Sequence, residues 1–211
     1  MRAKTAGPAA SAHEPGEAGG KPRVRDRIFE TACDLFYQHG IREVGVDQIA
    51  AEAGTNKMSF YRSFGSKDEL IAEYLEKKAA EFWQWWDGTL AAHAGDTRAQ
   101  ILALFDGIAS RVCAERSRGC ALANASVELS AEDHPGRRVA IAKKREMRRR
   151  LRELAAAVGT ERPEELGDAL MLLMEGSFVS RLTLCSEGPA RQAGAVVRQL
   201  LEIYAPGIAA R

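Results

Sequence analysis

Residues 45 to 70, GVDQIAAEAGTNKMSFYRSFGSKDEL, hold two short helix patterns joined at Gly54 and followed at once by the start of a third. Gly54 answers a turn that needs positive φ, and Ala50 is small enough for one helix to pass closely over the other. Ile49 on the first short helix and Phe60 and Tyr61 on the second supply the contact. A crossing of this kind leaves one face of the second helix free to enter the major groove of a duplex.

Local punctuation supports these boundaries. Asn56 is the N-cap of a helix from Lys57 to about Phe64, its side-chain oxygen placed to accept an orphaned N–H, and Gly65 ends that helix. Ser66 and Glu69 form an S-x-x-E capping box, after which Leu70, Ile71 and Tyr74 begin an apolar face. Lys67 in that first turn opposes the helix macrodipole, and a phosphate docked there would supply the missing anion.

On these residues the segment resembles the DNA-binding domain of the TetR/AcrR family of bacterial transcriptional regulators. The resemblance is carried by IAAEAG from Ile49 to Gly54, by Lys57, Ser59, Phe60, Tyr61 and Phe64, and by GSKDEL from Gly65 to Leu70. The preceding helix also fits, with Ile28, Ala32, Leu35 and Phe36 at helical spacing and Gly40 as its stop. Gly45 stands where the family commonly has threonine, Met58 replaces a small residue, and Arg62 and Ser63 replace an aromatic and a histidine. These departures bear on which bases are read. By the resemblance, Lys57, Met58 and Ser59 face base edges, while Tyr61, Arg62 and Lys67 reach phosphates. Val46, Asp47 and Arg25 complete the expected contact set. Tyr61 has a second reading as a core aromatic, the role assigned to Phe60 and Phe64.

Charge sets a limit on how such a head would bind. From Lys21 to Leu70 eight bases face eight acids, and the whole chain of 211 residues carries 30 bases against 29 acids. Lys57 to Lys67 contains no acid, so the contact face is locally positive on a neutral domain, which implies weak non-specific binding and reliance on two paired heads. Residues 1–21, rich in Ala, Gly and Pro, read as a disordered tail and not a signal peptide. The bases at the end of this tail, Lys21, Arg23 and Arg25, serve either as an arm toward DNA or as a solvated helix start. Residues 22–70 then form the helix-turn-helix domain and residues 71–211 a helical ligand-binding and dimerisation domain. That makes an all-α chain of about nine helices without a membrane span, expected in the cytoplasm.

Cys33, Cys113, Cys120 and Cys185 show no C-x-x-C, and the four histidines have no ligand spacing against them, so neither a metal nor another cofactor is expected. Reduced, mostly buried thiols are the ordinary reading, with a redox-sensing pair from Cys113 and Cys120 as the alternative. No GxSxG, phosphate-cradling glycine loop or conspicuous acid–base pair marks an enzyme.

Beyond residue 70 the helices succeed one another. The first reaches an aromatic cluster at Phe82, Trp83, Trp85 and Trp86 and slackens near Gly88; the next opens on a Thr97-x-x-Gln100 box. A helix from about Pro135 to Val158 is crowded with Arg and Lys on one side and apolar on the other, which predicts a solvated or acid-paired face in preference to a nucleic-acid surface. Large apolar groups with two orienting polar ones suggest a ligand pocket: Trp83, Trp86, Phe105, Leu122 and Asn124, together with Met171, Met174, Glu175 and Phe178. Glu175 either meets a cationic ligand or pairs with an arginine such as Arg181 across a dimer. The last two helices are apolar on more than one face, and the family resemblance makes this pair a dimerisation surface, here Leu173, Arg181, Leu182, Val196, Val197 and Leu200. GCALANASVE from Gly119 resembles a ligand-domain motif of one branch of the family.

The resemblance therefore implies a homodimeric repressor on a palindromic operator, released when a small, largely apolar inducer favours the dimer with its heads spread apart. A DNA-binding regulator without a small-molecule ligand is the other class.

Overall fold

The computed structural model describes residues 22–184 and 188–206. The expectations placed on the 1–21 tail and on Cys185 fall outside these residues. Nine α-helices and one 3-10 turn are present among the described residues, and no strand. Helices α1 (Val24–His39), α2 (Val46–Glu52) and α3 (Lys57–Ser63) form the head; α4 (Lys67–Ala92) leads out of it. The body adds α5 (Thr97–Cys113), α6 (Ala121–Glu128), α7 (Pro135–Ala157), α8 (Pro163–Leu184), a 3-10 turn over Pro189–Gln192 and α9 (Ala193–Tyr204).

Two apolar cores organise the chain. In the first, Ile28 and Phe36 of α1, Ile49 of α2 and Phe60 of α3 meet Leu70 and Tyr74 of α4. This core does not stop at residue 70, because Leu122 and Ala125 of α6 and Ala140 of α7 belong to it. The second core gathers Trp86, Phe105, Leu151, Leu170, Met174 and Val197 from α4, α5, α7, α8 and α9. Each such side chain withdrawn from water contributes about 1.5–3 kcal/mol. The apolar spacing that sets each helix face therefore also decides which elements meet.

Helix boundaries follow side-chain chemistry more finely than spacing alone. Asp96, not Thr97, caps α5, its carboxylate accepting from Ala99 N at 2.9 Å, while Gln100 Nε2 donates to the Leu90 carbonyl at 2.9 Å. Ser66 caps α4 by accepting from Glu69 N at 3.1 Å, and the Glu69 carboxylate reaches back to Gly65 N instead of to Ser66. Helix α4 runs unbroken through Gly88 to Ala92, since the Thr89 hydroxyl ties to the Trp85 carbonyl and Trp86 anchors the turn in the core.

Most cations of the basic helix α7 meet acids. Arg148 and Arg152 both clasp Asp168 of α8 at 2.6–2.9 Å, Lys143 meets Glu76, and Arg150 meets Asp87. The two guanidinium groups hold the Asp168 carboxyl well below the usual carboxylate range. Among the described residues no helix is long and apolar enough to cross a membrane, and no three metal-ligating groups converge.

Candidate nucleic-acid interface

Helix α3 is presented by the turn that precedes it. Gly54 adopts φ +64, and its N–H bonds to the Ala51 carbonyl while Thr55 N bonds to that of Ala50. The chain then re-enters helix at Asn56, whose Oδ1 accepts from Ser59 N at 2.9 Å. Phe60 and Phe64 lie buried, and Phe64 stacks on Phe29 of α1. The opposite face is solvent-facing, with Lys57, Met58 at 65% and Tyr61 at 51% exposure, and Arg62. The Tyr61 ring meets Phe60 edge-on at 5.3 Å, which steadies it without burying it.

Neighbours on this face are lightly tied. Lys57 Nζ lies 3.1 Å from Asp47 Oδ2 at the start of α2, and Arg62 Nη2 donates to Met58 Sδ at 3.4 Å. An exposed ion pair of this kind contributes little and exchanges readily for another anion. Ser59 is half-buried, its carbonyl accepting the Ser63 hydroxyl.

Three residues expected on the contact face are held elsewhere. Arg25 forks onto both carboxylate oxygens of Glu73 on α4 at 2.7 Å and stacks over Phe64. Lys67 turns inward to donate to the Ile41 carbonyl at 2.7 Å and lies over the Phe36 ring, so it needs no phosphate to offset the helix dipole. Burial pushes its pKa below the ordinary lysine value, against the opposing pull of Asp68 and Glu128. Val46 is half-buried against the first core.

A cavity of about 410 Å³ opens between the head and the body. Phe82, Leu122, Met147 and Phe178 make its apolar lining, while Lys78, Arg111 and Arg116 bring positive charge. Tyr37 of α1 belongs to the same lining, and its hydroxyl accepts from Arg118 N at 3.0 Å and donates to the Gly119 carbonyl at 3.4 Å.

Of the expected ligand residues, Leu122 and Phe178 line this cavity. Trp86, Phe105 and Met174 are instead closed into the second core, and Met171 packs against it. Trp83 lies beneath the Arg150 guanidinium at 4.1 Å, and Asn124 donates to the Arg118 carbonyl at 2.9 Å. Glu175 pairs with Lys144 of the same chain, and Arg181 donates to the carbonyls of Ala114 and Glu115. Burial works against the Lys144 ammonium, yet Cys120 and Glu175 beside it hold its pKa above the ordinary value. Cys120 lines the cavity and Cys113 does not. Tyr37, Arg111 and Arg116 were not anticipated; the charged loop ERSRG between two apolar helices is the signal that marks the arginine side.

The expected dimer set divides as well. Val197 is 0% exposed and serves the core, Leu173 and Leu200 pack against it, and Leu182 and Val196 remain open. Leu172 at 74%, Val179 at 50% and Ile203 at 64% extend that open apolar face along α8 and α9.

A helix-turn-helix head joined to an all-α body defines the class. The family model described as "Bacterial regulatory proteins, tetR family" matches residues 28–74. The chain is 49% identical over 55 residues to the HTH-type transcriptional repressor SCO4008 of Streptomyces coelicolor, covering 26% of this chain and 29% of that one. It is 29% identical over 110 residues to the HTH-type transcriptional repressor NemR of Escherichia coli, covering 52% and 53%. The chain thus spans about half or less of the length of these curated relatives. Among solved structures, SCO4454, a TetR-family transcriptional regulator from Streptomyces coelicolor, superposes with a TM-score of 0.82 at 27% identity, over 86% of this chain and 96% of that one. Reduced NemR from Escherichia coli shares the fold, with a TM-score of 0.72 at 22% identity over 84% and 97%. Residues 28–74 thus match the TetR family model, and the described chain shares the fold of a solved TetR-family regulator.

Proposed function

We propose that this chain is a ligand-responsive repressor of the cytoplasm that binds a near-palindromic operator as a homodimer. Residues 22–70 form the reading head and residues 71–211 the sensing and pairing domain. The single observation that supports this best is the exposed row Lys57, Met58, Tyr61 and Arg62 on α3, backed by Phe60 and Phe64 buried beneath it. Lys57 donates to guanine acceptors and Met58 contacts a thymine methyl, while Tyr61 and Arg62 hold phosphates. One head offers few base contacts, each worth about 1–3 kcal/mol of discrimination, so two heads are needed. The open apolar face of α8 and α9 carries the second copy.

Release follows from a ligand that binds better to the spread dimer than to the one that fits DNA. The cavity is placed for this, because its wall at Tyr37, Gly119 and Leu122 is bonded to or packed into the head.

The test is an electrophoretic shift on the intergenic DNA beside the gene. Tyr61→Phe and Lys57→Ala each weaken binding several-fold, and Arg62→Ala, which takes a cation from a phosphate, lowers the salt slope by about 1. Full affinity in the Tyr61 and Lys57 variants, or no shifted fragment, refutes the reading. A thiol-based response is the second reading, supported by Cys120 facing the cavity beside Lys144. In that case peroxide weakens DNA binding in the wild type and not in Cys120→Ser.

A further inference from the structure

The geometry points to an amphipathic carboxylate as the ligand class of the cavity between head and body, with an apolar tail against Phe82, Met147 and Phe178 and its anionic group at Arg111 and Arg116. The inference deepens the ligand-responsive reading and rests on it only for the regulatory consequence.

The argument starts from the charges that line the cavity. Lys78, Arg111 and Arg116 face a single acid, Glu81. Lys78 is already joined to that acid at 3.0 Å, so the pair is neutral and the two arginines carry the net charge. Among the described residues neither Arg111 nor Arg116 takes part in an ion pair or a side-chain hydrogen bond, whereas the cations of α7 next to the body core are matched with Asp168, Glu76 and Asp87. The Arg111 guanidinium carbon lies over the Trp85 ring, 4.5 Å from its centroid. This cation–π contact anchors the guanidinium while leaving its N–H donors unspent, which suits capture of a carboxylate.

The rest of the lining asks for the opposite chemistry. Phe82, Leu122, Met147 and Phe178 offer no hydrogen-bonding side chain, and a volume of about 410 Å³ holds one small molecule. A fully apolar ligand would leave the arginine side unmatched, and a cationic one would be repelled by it. A small dianion would forgo the apolar surface. An anion on an apolar tail satisfies both halves, and the arginine side lies toward water, where the head group keeps part of its hydration. Arg116 is two residues from Arg118, whose N–H meets Tyr37 of the head, so the anion binds on the very loop that is tied to α1.

The experiment uses the full chain and three probes of equal tail length: decanoate, decan-1-ol and decyltrimethylammonium. Titration calorimetry and tryptophan emission, the latter through Trp85 under Arg111, report binding. Decanoate binds at least about tenfold more tightly than decanol, decyltrimethylammonium more weakly than both, and the preference shrinks with added salt. In the double variant Arg111→Gln, Arg116→Gln decanoate falls to the level of decanol, while decanol affinity is unchanged and shows that the cavity is intact. No binding of decanoate, equal affinity for decanol, or a preference that survives the double variant overturns the inference. A DNA shift assay run in parallel separates the two readings. Decanoate that binds with this preference but leaves the DNA complex intact sustains the site and counts against ligand-triggered release. An inducer whose binding ignores both arginines does the reverse.

Discussion

Replacing Gly167 by alanine probes how closely α7 and α8 approach. A Cβ built on Gly167 would lie 2.6 Å from Arg152 Cγ, 2.7 Å from Arg152 Cα and 2.9 Å from Arg152 N. Carbon atoms sit comfortably at about 3.5–4.0 Å, so α7 would have to retreat by roughly 1 Å. Two of those three atoms are backbone, and no change of rotamer relieves them. Overpacking of this kind costs about 1–3 kcal/mol, and the better helix propensity of alanine returns up to about 1. The same retreat draws Arg152 away from Asp168, the residue next to Gly167. A net loss of about 1–2 kcal/mol lowers the melting temperature by about 2–8 °C for a chain of this size. Thermal melts by circular dichroism at one fixed protein concentration measure it, with urea titration giving the free energy. Gly88→Ala is the control: its Cβ meets nothing within 4 Å, and that variant gains up to about 1 kcal/mol. A Gly167→Ala protein that melts at or above the wild type would refute the backbone-to-backbone contact.

Asp168 makes the α7–α8 junction pH-dependent. Because its folded pKa is depressed, the carboxylate's contribution is complete above the ordinary aspartate range and fades as pH falls below about 4. The melting difference between wild type and Asp168→Asn should therefore be constant near neutrality and close in acid; a difference independent of pH contradicts the assignment. Asn56→Ala removes the α3 cap, with a loss of about 1 kcal/mol in stability and weaker operator binding, both measurable on one preparation. Leu172→Arg on the open face of α8 should give a monomer by light scattering at micromolar concentration, and an unchanged dimer would place the interface elsewhere. Cys33, its thiol pushed up to about 12 by burial, should stay unalkylated in the native protein at pH 8.

The head was largely legible in the sequence because its determinants are local. A cap such as Asn56, a left-handed turn at Gly54 and an apolar pair such as Phe60 and Phe64 act within a few residues of one another. Arg25 and Lys67 show the converse: their partners within the chain, Glu73 and the Ile41 carbonyl, lie 48 and 26 residues away along the sequence. A cation's type says that it will seek a negative partner, not which one it reaches. The cavity was harder still. Aromatic bulk marks Trp86 and Phe105 as buried, but whether a buried ring faces a neighbour or an empty space depends on how five helices pack. Glu175 shows the same limit, since its partner Lys144 stands on a different helix.

Leu122 serves two masters. It lines the cavity and is also buried in the core that carries the head, so its shape is constrained from both directions. Phe82 and Met147 touch the cavity while packing only among body residues or standing at their margin. On the proposed function, chemical taste and message are borne by different walls: substitutions at Phe82 or Met147 would retune which molecule is admitted while leaving untouched the route by which its arrival reaches the head. A lineage of proteins working in the proposed way would diversify its inducers on one side of a single small room, provided the other side stays as it is.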